Sequence, residues 1–245
     1  MDWPLVVGGC VAAGAAFFAG ASGFGMGLLA TPLLLLTGFS LPFVVTANLL
    51  NSLATRIGVV FRLRPAIDRR RAALLVCGAL PGLYAGARLL HAVDAHTFKL
   101  VAGIVTVVGA AATAGLDRRP PHGRPMRRTL LAAGFAGGVL ATTTSLSGVP
   151  PALLLTRRRT AGISFMADLA VYFVATSALG LAALALAGTF GGHRLWPTLA
   201  YWLPGVLLGN WAGTSLGLRV PDRAFRQAAI VLALVAGVAT IATAG

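Results

Sequence analysis

Two ionisable side chains, Arg56 and Asp168, stand inside long apolar stretches of the chain. A charge at the centre of a bilayer costs roughly 2.5–3.5 kcal/mol on insertion scales, so each calls for a partner or a task. Three roles are open to Arg56. It can snorkel to the inner headgroups, pair with Asp168 as a structural or gating link, or stand in a pathway as the countercharge of an anion. Asp168 could take up a proton if transport were coupled to proton movement, and Tyr172, one turn later, could donate to its carboxylate. Asn48 and Asn51 lie one turn apart on one helix face. Hydrogen bonds between helices are open to both, as is contact with a ligand, for which Asn48 is the candidate.

Small residues supply the other half of the chemistry. Ser22 precedes Gly23-Phe24-Gly25-Met26-Gly27, and glycine costs about 1 kcal/mol relative to alanine inside a helix. A helix that opens here leaves backbone groups that lipid cannot satisfy, so the break must face protein or a water-filled cavity. Its free N–H groups and about half a positive charge then make an anion site. Close packing of helices by small residues is the competing reading of Gly23, Gly25 and Gly27. A nucleotide-binding glycine loop is excluded, because no strand or soluble domain surrounds the motif. The second stretch is Thr142-Thr143-Thr144-Ser145-Leu146-Ser147-Gly148-Val149-Pro150-Pro151. The hydroxyls of Thr143, Thr144, Ser145 and Ser147, next to Gly148, can donate to the oxygens of an anion, while Pro150 removes a backbone donor and restricts the residue before it. Bonding of those hydroxyls to their own helix is the alternative.

Such residues need helices that cross a membrane. From Trp3 to Thr55 no charged side chain occurs, and 57% of the 245 residues are hydrophobic against 11% charged. A crossing takes about 20 mostly apolar residues, and soluble domains carry about 25% charge. The apolar segments fall at 5–22, 24–38, 41–61, 72–90, 98–116, 129–144, 148–156, 163–187, 196–217 and 225–244. Those at 24–38, 129–144 and 148–156 are short for a full crossing. The start of the chain lacks a basic n-region, so its first segment is expected to be retained. Cys10 and Cys77 sit in apolar runs and are expected as small core residues. His91, His96, His122 and His193 fall in loops without ligand spacing, so neither a metal nor a cofactor is expected.

The net charge of +14 is placed between the apolar segments. The Arg-rich stretches 62–71, 117–128, 157–159 and 219–226 hold most of it. Short basic loops mark the cytoplasmic face and meet anionic headgroups; few aromatics are interleaved, which excludes a nucleic-acid surface. With those loops inside, each half of the chain contributes five segments, and the halves run in opposite directions. Trp3 and Trp196 fall outside as interfacial anchors. Pro81-Gly82-Leu83-Tyr84-Ala85-Gly86 recurs as Pro204-Gly205-Val206-Leu207-Leu208-Gly209, and Phe98-Lys99 recurs as Phe225-Arg226. Repeats of opposite direction with interrupted segments point to a secondary transporter and its binding site. The expected fold is all-α: a polytopic bundle of two inverted-topology repeats, each with one broken or re-entrant helix pair. Residues 1–116 form the first repeat, 117–128 a cytoplasmic Arg/Pro linker and 129–245 the second, in a single membrane domain.

Over nearly its whole length the chain resembles the TauE/SafE sulfite exporter family. The resemblance is carried by Gly20-Ala21-Ser22-Gly23-Phe24-Gly25-Met26-Gly27 with Pro32, by Gly137-Gly138 through Ser145-Leu146-Ser147-Gly148-Val149-Pro150-Pro151, and by the Pro-Gly-x-x-x-Gly element of both halves. Where relatives tend to repeat glycines, this chain has Thr142, Thr143, Thr144, Ser145 and Ser147. The resemblance implies a protein of the bacterial cytoplasmic membrane that exports sulfite, sulfoacetate or another organosulfonate. The partners expected are that small anion and the lipid bilayer. A carrier or channel for another small anion, such as a carboxylate, is the alternative. An enzyme is not expected, since no GxSxG, HExxH or carboxylate cluster occurs and Asp168 is the one acid inside a span.

Overall fold

The computed structural model describes residues 3–23, 26–92, 95–115, 127–157, 162–188, 195–217, 231, 234–235 and 237–242. Every regular element among them is helical. They are α1 (Trp3–Ser22), α2 (Met26–Leu36), α3 (Leu41–Leu63), α4 (Arg69–Ala92), α5 (Ala95–Gly115), α6 (Arg127–Thr143), α7 (Val149–Arg157), α8 (Gly162–Leu186) and α9 (Leu195–Gly217), with helical residues again at 237–242. Helices α1, α3, α4 and α8 are each long and apolar enough to cross a bilayer. The protein is an all-α polytopic membrane protein.

Both small-residue stretches are breaks. α1 stops at Ser22, where Gly23 takes φ +80°, a conformation that a side chain disfavours, and its N–H still donates to Ala19 O at 2.9 Å. α6 stops at Thr143, and Ser145 takes φ +55°. A residue other than glycine in that region costs of order 1–3 kcal/mol and persists only where its surroundings hold it. Here they do: Ser145 is buried, and its Oγ meets Thr31 and Asn48.

Long helices hold the broken pairs in place. The glycines of the repeated Pro-Gly-x-x-x-Gly element form ridges: Gly82 and Gly86 lie on the α6 backbone at Phe135 and Val139, and Gly209 lies on α1 at Ala13. Contacts advance in step along both pairs, from Gly78 on Leu131 to Gly86 on Val139, and from Gly209 on Ala13 to Gly213 on Phe17. α4 therefore runs parallel to α6, and α9 parallel to α1. Between α3 and α8 the order reverses, because Leu49 touches Gly180 while Arg56 lies over Phe173. These two helices are antiparallel. Small residues let backbones approach this closely where lipid supplies no hydrophobic drive for association.

Large apolar side chains ring the outside, among them Phe61, Leu186, Leu208 and Trp211. Trp3 and Trp196 are exposed as well, and as the starts of parallel helices they lie at one end of the bundle. Cys10 and Cys77, expected in the core, are both exposed. The correction is simple: in a bundle bathed in lipid, an apolar run does not say which of its faces points inward.

Candidate functional site

The two breaks meet. Gly27, in the first turn of α2, passes so close to Ser145 that a Cβ would fall into the Ser145 carbonyl. Gly148, just before α7, leaves no room for a Cβ beside the Phe173 ring. Where the breaks meet, a cavity of about 30 Å³ is lined by Met26, Gly27, Leu28, Asn48, Leu49, Ser52, Arg56, Ser145, Leu146, Ser147, Gly148, Val149, Phe173 and Ser177. A water needs roughly 10–15 Å³ by this measure, so the space takes about two. An oxyanion enters only if the walls move.

The N-terminal turns of both α2 and α7 contribute to the lining. First-turn amides of α2 and the positive ends of two helix dipoles thus converge on one small volume; α7 brings its dipole but no free amide, since the Val149 N–H donates to Leu146 O, the Ala152 N–H donates to Gly148 O, and Pro150 and Pro151 have none. Around it runs a hydrogen-bonded frame. Asn48 Nδ2 donates to Thr31 Oγ1 (3.1 Å) and to Ser145 Oγ (2.9 Å), and Thr31 Oγ1 donates to Thr144 O at 3.0 Å. Among the described residues, Asn48 Oδ1 is buried without a partner, as are both polar atoms of the Asn51 side chain.

Arg56 is the charge at the site, and it is only 3% exposed. Its Nη2 donates to Ala19 O at 2.9 Å, in the last turn of α1, and its guanidinium lies 5.6 Å from the centroid of Phe173. Among the described residues, no carboxylate pairs with it. A guanidinium carries five N–H donors. With one hydrogen bond in place, the rest of its capacity to bind an anion is unspent.

Of the residues singled out in the sequence, Gly27, Asn48, Arg56, Ser145, Ser147 and Gly148 come together here. Others do not. Ser22 Oγ donates to Phe18 O (2.7 Å), Thr143 Oγ1 to Val139 O (2.8 Å) and Thr144 Oγ1 to Leu140 O (3.2 Å), each on its own helix. Gly23 lies at the edge, against Met166. Gly25 is outside the described residues.

The expected Arg56–Asp168 pair is not formed. The antiparallel register that sets Arg56 on Phe173 places Asp168 level with Phe61, more than a turn away. Arg56 does not snorkel either, being buried. Asp168 instead receives Arg71 through Nη2 and Nε, both at 2.7 Å, and the backbone N–H of Asp68 at 2.8 Å. Asp68 in turn caps α4 by accepting the Arg70 and Arg71 amides. Tyr172 does not reach Asp168; its hydroxyl lies 3.5 Å from Gly134 O. Reading the sequence also missed Thr31, Ser52, Phe173 and Ser177. Ser52 was findable, since Asn48, Ser52 and Arg56 recur every fourth residue on one face.

Bundle and site together define a polytopic membrane protein with a buried, cationic, hydroxyl-rich cavity at paired helix breaks. The family model described as Sulfite exporter TauE/SafE matches residues 8–240, and the chain belongs to that family. Membership makes it a membrane transport protein of the sulfite and anion exporter class. No curated protein and no solved structure matches the chain.

Proposed function

We propose that the protein is a secondary transporter that exports sulfite, sulfoacetate or a related sulfonate across the bacterial cytoplasmic membrane by alternating access. The anion binds where the two breaks meet. Arg56 supplies its countercharge, Asn48, Ser52, Ser145, Ser147 and Ser177 supply hydrogen bonds, the first turn of α2 supplies amides, and the start of α7 supplies the positive end of its dipole. The observation that carries this reading is a buried arginine on the wall of a polar cavity, without a carboxylate partner among the described residues. Leaving such a charge uncompensated is expensive, and an anionic substrate relieves that cost.

Residues 1–116 and 129–245 act as two inverted halves joined by 117–128. Parallel packing of α1 with α9 and of α4 with α6, together with the antiparallel α3–α8 pair, supports this arrangement. The basic loops 62–71, 117–128, 157–159 and 219–226 face the cytoplasm, and the halves rock about the cavity to expose it to each side in turn. A cavity too small for its anion is what a closed position of that cycle requires.

Titration calorimetry of purified protein tests the site. Sulfite gives a saturable heat with the native chain that is lost or strongly weakened in Arg56→Gln. Equal heats from both proteins refute the assignment.

A further inference from the structure

A groove of about 390 Å³ runs between α3 and α9 towards Arg62. A second groove, of about 570 Å³, lies between α4 and α8. The two occupy corresponding places in the proposed halves, because the repeated Pro-Gly-x-x-x-Gly elements belong to α4 and α9. Their linings differ. In the α4–α8 groove the polar groups are Tyr84 and Arg88, which satisfy each other at 2.8 Å. The α3–α9 groove holds Thr55, Arg62, Asn210 and Thr214. Thr55 and Thr214 turn their hydroxyls to their own helices, and Asn210 Oδ1 is buried, with no partner among the described residues. Half-buried Asn210 and exposed Arg62 give this groove polar side chains whose remaining donors an acyl chain cannot satisfy and water can.

This groove and the anion cavity border the same stretch of α3. Thr55 lines the groove and its neighbour Arg56 lines the cavity. Ala19 O, which accepts Arg56 Nη2, also accepts the N–H of Gly23. Met166, on the groove wall, fills the hollow left by the missing side chain of Gly23, its Cγ standing 2.9 Å from where a Cβ would be. Two residues further along α8, Asp168 is tied to Arg71 and to the Asp68 backbone. That tie fixes the start of the helix that carries Met166.

We infer that the α3–α9 groove is the hydrated access path by which the anion reaches Arg56 from the Arg62 end, and that Met166 seated on Gly23 is its plug. The inference rests on the proposed anion site. Withdrawal of Met166 from Gly23 joins groove to cavity, and the Asp168–Arg71 tie holds the plug until α8 shifts. The pseudo-equivalent α4–α8 groove, polar only at Tyr84 and Arg88, belongs to lipid.

Cysteine accessibility decides it. In a chain carrying Cys10→Ala and Cys77→Ala, Asn210→Cys and Thr214→Cys are placed in the path, and Ala183→Cys in the α4–α8 groove. A thiol reacts as its thiolate, which needs water. A membrane-impermeant maleimide, whose thioether sulfite does not cleave, is therefore expected to label Asn210→Cys in inside-out vesicles at least ten-fold faster than Ala183→Cys. After removal of the reagent, sulfite flux through labelled Asn210→Cys or Thr214→Cys is expected to fall at least ten-fold. Equal labelling of the path and groove positions, or labelling that leaves flux unchanged, overturns the path. Flux through the unlabelled proteins is read separately: its absence refutes sulfite transport, whereas intact flux that labelling does not block refutes the path alone.

Discussion

Arg56 offers five donors and spends one on the end of α1. A charge-assisted hydrogen bond contributes about 1.5–3 kcal/mol, which at 1.36 kcal/mol per decade is roughly a 10- to 100-fold change in affinity. Arg56→Gln keeps a donor for Ala19 O but loses the charge, so its sulfite dissociation constant is expected to rise by that factor in calorimetry. Arg56→Lys falls between, keeping the charge without the planar fork. Gly27 gives a second expectation at this scale. A side chain there meets the Ser145 backbone, which cannot step aside, and overpacking costs about 1–3 kcal/mol. Gly27→Leu should lower the thermal unfolding midpoint and lose anion binding. Gly14, with open space around its Cβ position, should take alanine without loss and gain up to about 1 kcal/mol of helix stability. A Gly27→Leu protein as stable as Gly14→Ala would contradict the crossing. The sequence made Arg56 conspicuous because a lone charge stands out in an apolar run. It could not show which way the guanidinium turns, because a snorkelling arginine and a cavity arginine occupy the same position in the chain.

Helix extents were legible because each follows from local composition: α8 spans Gly162–Leu186 against an expected 163–187. Both breaks were also legible, from glycine at Gly23 and from hydroxyls and prolines at Thr142–Pro151. Register between helices was not, since it is set by which ridges interdigitate, and that information is spread over two distant segments. The Asp168 assignment failed for this reason, and Arg71, which looked like an ordinary residue of a basic loop, is its partner. Removing one member of a buried ion pair costs about 3 kcal/mol, and Asp168 is fully buried while Arg71 is 20% exposed. Asp168→Asn is therefore expected to destabilise the protein by about that amount, measured by chemical unfolding in detergent. Arg71→Gln added to it should cost little more, because the interaction is already gone. Strictly additive losses would show that the two side chains do not act as a pair.

For the whole molecule, hydropathy alone settles that the chain is a polytopic membrane protein, since no soluble fold tolerates an uncharged run from Trp3 to Thr55. The Pro-Gly-x-x-x-Gly repeat hinted at two related halves, and the bundle shows what the element does: it lays a glycine ridge of α4 on α6 and of α9 on α1, each a parallel neighbour. What composition could not supply is the convergence of α2, α3, α7 and α8 on one cavity. The central claim is that this cavity, with Arg56 on its wall, carries a small oxyanion through the protein. Counter-flow of labelled sulfite in proteoliposomes tests it most directly. Saturable exchange is predicted for the native chain, with at least ten-fold slower exchange in Arg56→Gln of matched thermal stability. Exchange that does not saturate, or that proceeds equally fast without the arginine, would contradict the account.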